Sequence, residues 1–277
     1  MNIPQCDIGL IGGSSTLSIA LPEALGLNDV VVEKNGMVFN TPFGESPEFK
    51  IFTIQGDKQA KRVLTCKMHG WRRGVNRADA SRQVFWIFKN AGVKRVLAEG
   101  GVGAVNHLLN PRDLVIPHDY LDSSLRKDVG LEDHYLLIMR DAICPQMRRT
   151  ISEVCSENWD GRVFDRSVYV NTDGHHFESP SEINLFRMAG ADVVGQSICP
   201  EVYLAREIGA CYAGLYLVVN YAEGIVTPWR HEKLRELFYT ESCAIGSLLM
   251  QVIRDLPVQK DCGCSDLRRE TLLKGIY

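Results

Sequence analysis

No apolar run in this 277-residue chain approaches the roughly 18–20 residues that a membrane-spanning helix needs. The segment Met1-Asn2-Ile3-Pro4-Gln5-Cys6-Asp7 also lacks the basic stretch and apolar core that mark a secretory leader. Both absences predict a cytoplasmic protein with no membrane partner. An excess of positive charge is missing too: 31 Lys and Arg face 34 Asp and Glu, for a net charge of −3. Nucleic-acid binders concentrate basic residues on one face, so a small-molecule ligand is expected and no nucleic acid. There is no internal repeat, low-complexity segment or Pro/Ser-rich linker, and the whole of 1–277 reads as a single domain. The nine cysteines are odd in number and scattered, which excludes the framework of a small secreted scaffold and predicts mostly reduced core thiols. Cys262-Gly263-Cys264 stands apart as a tight disulfide or a metal ligand pair. Two thiols alone do not make a tetrahedral zinc site, so the preferred reading is an exposed, reduced tail without metal.

What is present describes a globular protein with a sizeable core: 45% hydrophobic residues, 23% charged residues and four tryptophans. Short apolar runs alternate with helical patterns, the signature of an α/β fold in three α/β/α layers. Strands are predicted at Asp7–Ile11, Arg62–Cys66, Arg95–Ala98, Asp113–Pro117, Val163–Val170, Asp192–Gly195 and Tyr212–Val219. Helices are predicted at Asp79–Asn90, where Val84, Ile87 and Phe88 share one face, and at Pro145–Ser156, Ser181–Met188, Pro200–Glu207 and His231–Arg254. Pro200 suits a first helical turn and Glu201 the positive end of that helix. The polar stretch Asp119–Asp133 reads as a long surface loop.

Three predicted strands end in small or polar residues. The first runs into Gly12-Gly13-Ser14-Ser15-Thr16, whose glycines permit a sharp turn that offers amide and hydroxyl donors to an anion. That loop lacks both the Gly-x-Gly-x-x-Gly of dinucleotide sites and the Lys-Ser/Thr of a P-loop, and taken alone it reads first as an ordinary strand-to-loop turn with a hydroxyl cap. Lys67-Met68-His69-Gly70 and Glu99-Gly100-Gly101-Val102-Gly103 follow two further strands, and open α/β sheets bind ligands at such carboxyl ends.

In this order the segments Ile8–Ser14, Thr41-Pro42-Phe43-Gly44, the glycine cluster and Asn110–Ile116 resemble the methylthioadenosine phosphorylases and related trimeric purine nucleoside phosphorylases. Phe177-Glu178-Ser179-Pro180-Ser181-Glu182 is similar to a family segment, and Gly190–Val202 is the most specific match. The resemblance runs from about Ile8 to Pro257. It implies a mixed central sheet, a homotrimer, no cofactor, and inorganic phosphate as co-substrate in cleaving the ribosyl–purine bond. It also implies a phosphate site of Ser14, Lys67, His69, Gly100, Gly101 and Ser197, and a nucleoside site of Phe177, Glu178, Gln196, Asn220, Ala222 and His231, with Asn220 catalytic. A 5′-pocket completed by a neighbouring subunit would draw on His134 or Leu136.

Departures from the family pattern leave the substrate open. Lys67 stands where the family has Arg, which keeps charge but loses the bidentate fork, and Gly100 stands where many relatives have Thr. Gln196 replaces a Met beneath the ribose, either gripping a hydroxyl or filling space. Glu178, as a carboxylate, accepts only, and with Asn220 it suits a 6-oxopurine rather than adenine; its other reading is a surface carboxylate capping the following helix. His69 is a phosphate contact or a solvated loop residue, and His231 a 5′-hydroxyl contact or an ordinary first-turn histidine. The reading is therefore a methylthioadenosine-type phosphorylase, with a 6-oxopurine enzyme, a nucleoside hydrolase and a non-catalytic nucleoside-binding protein as alternatives.

Overall fold

The computed structural model describes residues 2–56, 59–131, 135–257 and 261–272, and within them eleven strands join in one mixed sheet accompanied by five helices. The strands are β1 (Ile8–Ile11), β2 (Val30–Met37), β3 (Phe49–Gln55), β4 (Ala60–Cys66), β5 (Arg95–Ala104), β6 (Leu114–Val115), β7 (Asp119–Asp122), β8 (Val163–Phe164), β9 (Val168–Asn171), β10 (Val193–Gly195) and β11 (Cys211–Tyr221). Their main order is β8-β6-β11-β5-β1-β4-β3-β2. Parallel pairs β4-β1-β5-β11 form the centre, where both faces are covered and the strands read as near-continuous buried runs. The sheet branches at the far end of β5, where Gly103 and Ala104 pair antiparallel with Val194 and Val193 of β10, and β10 continues through β9 to β7.

The helices are α1 (Arg77–Asn90), α2 (Pro145–Asn158), α3 (Pro180–Met188), α4 (Ile198–Glu207) and α5 (His231–Asp255). Four of them pack as two pairs, α1 with α4 and α2 with α5. Local chemistry sets their starts. The Asn76 side chain accepts from the Asp79 amide at 2.8 Å to open α1, and Ser179 and Glu182 close a reciprocal capping box on α3. The main core cluster extends from Cys6 to Cys264 and brings in the central strands β1, β4, β5 and β11 together with the buried face of α5.

Several expectations are corrected. β5 continues to Ala104 and β11 to Tyr221, so the glycine cluster and Asn220 lie inside strands, not after them. Val163–Val170 is two strands, separated because β8 pairs with β6 while β9 pairs with β7 and β10. The stretch from Asp119 begins as strand β7, parallel to β9. β2 and β3 extend the sheet beyond β4 and were not anticipated. In α4, Cys199 has φ −107° and ψ 131°, so the regular helix begins at Pro200 with Glu201 in its first turn, as expected; Glu201 is 1% exposed and its carboxylate is engaged in side-chain bonds. Cys264 is buried and Cys262 half-buried, so this part of the tail is not exposed. Among the described residues no helix is long and apolar enough to cross a membrane.

Candidate active site

The carboxyl ends of β1 and the inner strands β5 and β11 meet at one cleft of about 920 Å³, open mouth included. Its place at strand ends follows the rule for open α/β sheets, which bind small ligands there. Ser14, His69, Gly100, Gly101 and Ser197 line it, as do Phe177, Glu178, Gln196, Asn220 and Ala222. Ten of the twelve residues singled out from sequence therefore share one cavity. Lys67 and His231 do not line it. The Lys67 ammonium donates to the Ile19 carbonyl at 3.0 Å, and His231 is exposed at the start of α5. Met68, the next residue, lines the cleft where Lys67 does not. Leu136 is exposed on a short strand paired with the tail, and His134 lies outside the described residues.

The loop after β1 is built differently from the sequence expectation. Glu99, fully buried at the middle of β5, turns its carboxylate into the loop. It accepts the Gly13 amide, the Ser15 and Thr16 amides at 3.2 and 3.3 Å, and the Thr16 hydroxyl at 2.6 Å. These three amides are thus committed to the protein's own anion and are not offered to a ligand. The Ser14 hydroxyl, which lines the cleft, accepts from the Gly101 amide at 2.9 Å. The turn requires glycine at 13, where a Cβ would lie 2.1 Å from the Glu99 carbonyl oxygen. At Gly101 a Cβ would meet the Phe238 ring at 2.9 Å, so glycine there lets α5 close against the strand.

His69 is held by a buried polar chain. Its Nδ1 lies 2.7 Å from Glu201 Oε1, Tyr212 donates to Glu201 Oε2 at 2.8 Å, and the Tyr212 and Tyr216 hydroxyls are 3.3 Å apart. Burial and the Glu201 charge push both phenols well above their ordinary value, so they stay protonated donors and the chain keeps one orientation at neutral pH. Nδ1 is committed to Glu201, and Nε2 faces the glycine strand, 3.7 Å from the point where a Cβ on Gly100 would sit. In its doubly protonated form the ring donates from both nitrogens. Neither Lys nor Arg lines the cleft among the described residues, which makes His69 the lone lining side chain able to carry positive charge. On the phosphate role that the family resemblance implies for His69, His69→Ala is expected to raise KM for phosphate roughly tenfold or more, the order of a lost charge-assisted bond, while KM for nucleoside moves less; initial-rate kinetics with each substrate varied in turn check this.

Ser197 sits beside this chain: its hydroxyl and its amide each lie 3.3 Å from the Tyr169 hydroxyl. Burial pushes the Tyr169 phenol up to about 12, so it too remains protonated. Gln196 is tied at both ends, accepting from Arg77 at 2.9 Å and donating to the His176 carbonyl at 3.2 Å, which makes it a brace in the wall. Arg77 in turn stacks 4.0 Å over Trp71, another lining residue.

At the other end, Glu178 is 6% exposed and accepts the Thr172 hydroxyl at 2.5 Å. It does not cap α3; Ser179 and Glu182 perform that role. β11 carries a bulge between Val218 and Asn220, and the extra residue lets both Val219 and Asn220 line the cleft. Asn220 spends one amide hydrogen on the Tyr221 carbonyl at 2.7 Å and keeps its second N–H and its oxygen for a ligand. Phe177 packs edge-on to Trp229 at 4.9 Å, and Trp229 donates to Glu223 at 2.8 Å. Trp71, Trp229, Leu234 and Phe238 complete the apolar wall. Sequence reasoning missed these four because loops and α5 bring them in from far along the chain. Glu99 was visible only as the first residue after a predicted strand and Glu201 as a first-turn helix residue, and nothing local marked them as buried acceptors.

Comparison with known proteins places this geometry. A family model described as Phosphorylase superfamily matches residues 7–254. A protein of Methanopyrus kandleri named "Probable S-methyl-5'-thioinosine phosphorylase" is 35% identical over 94% of this chain and 96% of its own. One of Korarchaeum cryptofilum named "Probable 6-oxopurine nucleoside phosphorylase" is 29% identical over 96% and 98%. Among solved structures, a methylthioadenosine phosphorylase from an antarctic soil metagenomic library superimposes with a TM-score of 0.75 at 21% identity, covering 96% of this chain and 91% of that one, a likeness of fold.

Proposed function

Because the chain belongs to the Phosphorylase superfamily, we propose that it is a purine nucleoside phosphorylase that prefers 6-oxopurine nucleosides with an apolar 5′ substituent. The observation carrying the base preference is the buried pairing of Glu178 and Asn220 in one cleft. Thr172 fixes one Glu178 oxygen, and the other suits the N1–H of hypoxanthine while opposing the bare N1 lone pair of adenine. The remaining Asn220 N–H serves N7 or O6. Relatives named for 6-oxopurine and methylthioinosine substrates support the same choice. At the sugar's 5′ end, α5 contributes Leu234 and Phe238 while His231 stays exposed, which favours methylthio over hydroxyl.

In the proposed reaction a phosphate oxygen forms a bond to the anomeric carbon as the carbon–N9 bond breaks, and its electron pair passes into the purine. Ser14, Ser197, His69 and the Gly100–Gly101 strand border the phosphate. Asn220, a preorganised donor, meets the negative charge that gathers on N7 and O6. Inosine, adenosine and their 5′-methylthio forms, assayed with and without phosphate, test the reading. Phosphate-dependent release with the 6-oxo base favoured by at least about tenfold supports it; equal or reversed preference overturns the base assignment. Glu178→Gln, whose amide can donate to N1 of adenine, is expected to narrow that ratio severalfold or invert it, measured as kcat/KM for the two methylthio nucleosides.

One observation favours a second reading. With Lys67 turned to Ile19 and no Lys or Arg lining the cleft among the described residues, the oxyanion end is poor in charge, as a water-using hydrolase would have it. Base released at the same rate without phosphate, with free sugar instead of sugar phosphate, would establish hydrolysis. We also propose the homotrimer: a solution mass of three times the 31.0 kDa chain supports it, and a monomer overturns it.

A further inference from the structure

Far from the cleft, four cysteines widely separated in sequence converge. Cys144 is the N-cap residue of α2, Cys211 opens β11, and Cys262 and Cys264 come from the C-terminal segment. Their four sulfur atoms all lie within 4.8 Å of one another, and Cys211 and Cys262 sulfurs are 3.5 Å apart. We propose that Cys144, Cys211, Cys262 and Cys264 form a tetrathiolate site for one structural zinc ion.

The geometry fits that ion. With zinc–sulfur bonds of about 2.3 Å, a tetrahedron of four thiolates has edges of roughly 3.8 Å, and the sulfur spacing here brackets that length. All four ligands are sulfur, the soft set that selects zinc over magnesium or calcium. A complete set of four protein ligands leaves no position for water or substrate, which makes the site structural. Its frame is rigid on two sides. The Cys144 amide donates to the Tyr212 carbonyl at 2.8 Å, and the Cys211 amide to the Lys94 carbonyl at 3.0 Å, so both belong to the hydrogen-bonded core. The remaining two ligands flank Gly263, where a Cβ would meet nothing within 4 Å, so the short span between them is unobstructed.

The surroundings suit the charge. Four thiolates around a divalent ion leave two negative charges in a largely buried place. Cys144 at the amino end of α2 meets the positive end of the helix. The 3%-exposed Arg206 donates to the Cys264 carbonyl at 3.3 Å and to the Asp141 carbonyl at 2.8 Å, bringing a guanidinium beside the ligand segment. The site would pin the C-terminal segment, whose Arg268–Glu270 strand pairs with Tyr135–Leu137, to the start of α2 and of β11. Asn220 stands nine residues along β11 from Cys211, on the order of 30 Å at 3.3 Å per residue. Loss of the ion therefore acts on stability and leaves the chemistry in place. Binding releases the thiol protons to solvent, so affinity falls in acid.

The test uses the full chain purified anaerobically from zinc-supplemented cells without chelator. Metal analysis is expected to give one zinc per chain, and cobalt exchange to give the thiolate charge-transfer and tetrahedral ligand-field bands. The paired variant Cys262→Ser/Cys264→Ser is expected to lose the metal and to melt several degrees lower while its kcat and KM stay within about twofold of the parent. Should the tail variant not fold, zinc titration of the chelator-treated parent, read by cobalt displacement, decides the matter. Absence of stoichiometric zinc in the parent, with no uptake on titration, overturns the proposal. So does a mass lowered by two hydrogens per cysteine pair, which would show disulfides instead of a metal centre.

Discussion

Asn220→Ala is expected to lower kcat by roughly 10²–10³-fold, the cost of removing one preorganised donor to a developing anion. The side chain is 9% exposed, and its free N–H has no partner other than a ligand once Tyr221 has taken the first. Steady-state and single-turnover rates on the best substrate check it. The fall should appear in the chemical step with KM changed little, because the interaction is stronger in the transition state than with bound nucleoside. A rate unchanged within twofold would remove Asn220 from the mechanism. Asn220→Asp is the informative companion: a carboxylate accepts where the amide donates, so 6-oxopurine turnover should fall almost as far, while adenine, whose amino group and protonated N7 donate, should suffer less.

Glu99→Ala is expected to cost about 3 kcal/mol of stability or more, because it leaves the Gly13, Ser15 and Thr16 amides and the Thr16 hydroxyl buried without their acceptor. For a chain of this size that corresponds to a melting point lowered by roughly 6 °C or more. Glu99→Gln should lie between, since its amide oxygen still accepts but its NH₂ group confronts donors. Thermal unfolding of the three proteins orders them, and a Glu99→Ala melt within a degree of the parent would mean that the loop finds other partners. The expected loss of activity exceeds the loss of fold, for Ser14 is carried on the same turn.

These two residues also show what the sequence could disclose. Asn220, Glu178 and Ser197 were legible because each sits in a run whose order resembles a known family, and the strand and helix periodicities around them place them at one sheet edge. Glu99 was quoted in the same glycine cluster, yet its role depends on a loop some 85 positions earlier, and no local pattern predicts that a carboxylate will point inward. Lys67 failed for a more local reason. Its backbone is extended, φ −91° and ψ 156°, so successive side chains diverge, and Met68 and His69 then adopt positive φ and turn into the cleft instead. β2 escaped notice because it is an edge strand carrying Glu33, Lys34, Asn35 and Gly36, a polar sequence that only its pairing with β3 makes extended. The thiol cluster was half visible: Cys262-Gly263-Cys264 is local, whereas Cys144 and Cys211 join it only after the sheet has formed.

The inward carboxylate of Glu99 means that this enzyme folds around an oxyanion it has supplied for itself. In the proposed phosphorolysis a phosphate would not have to organise the turn after β1, so its binding energy would not be diverted into ordering that segment.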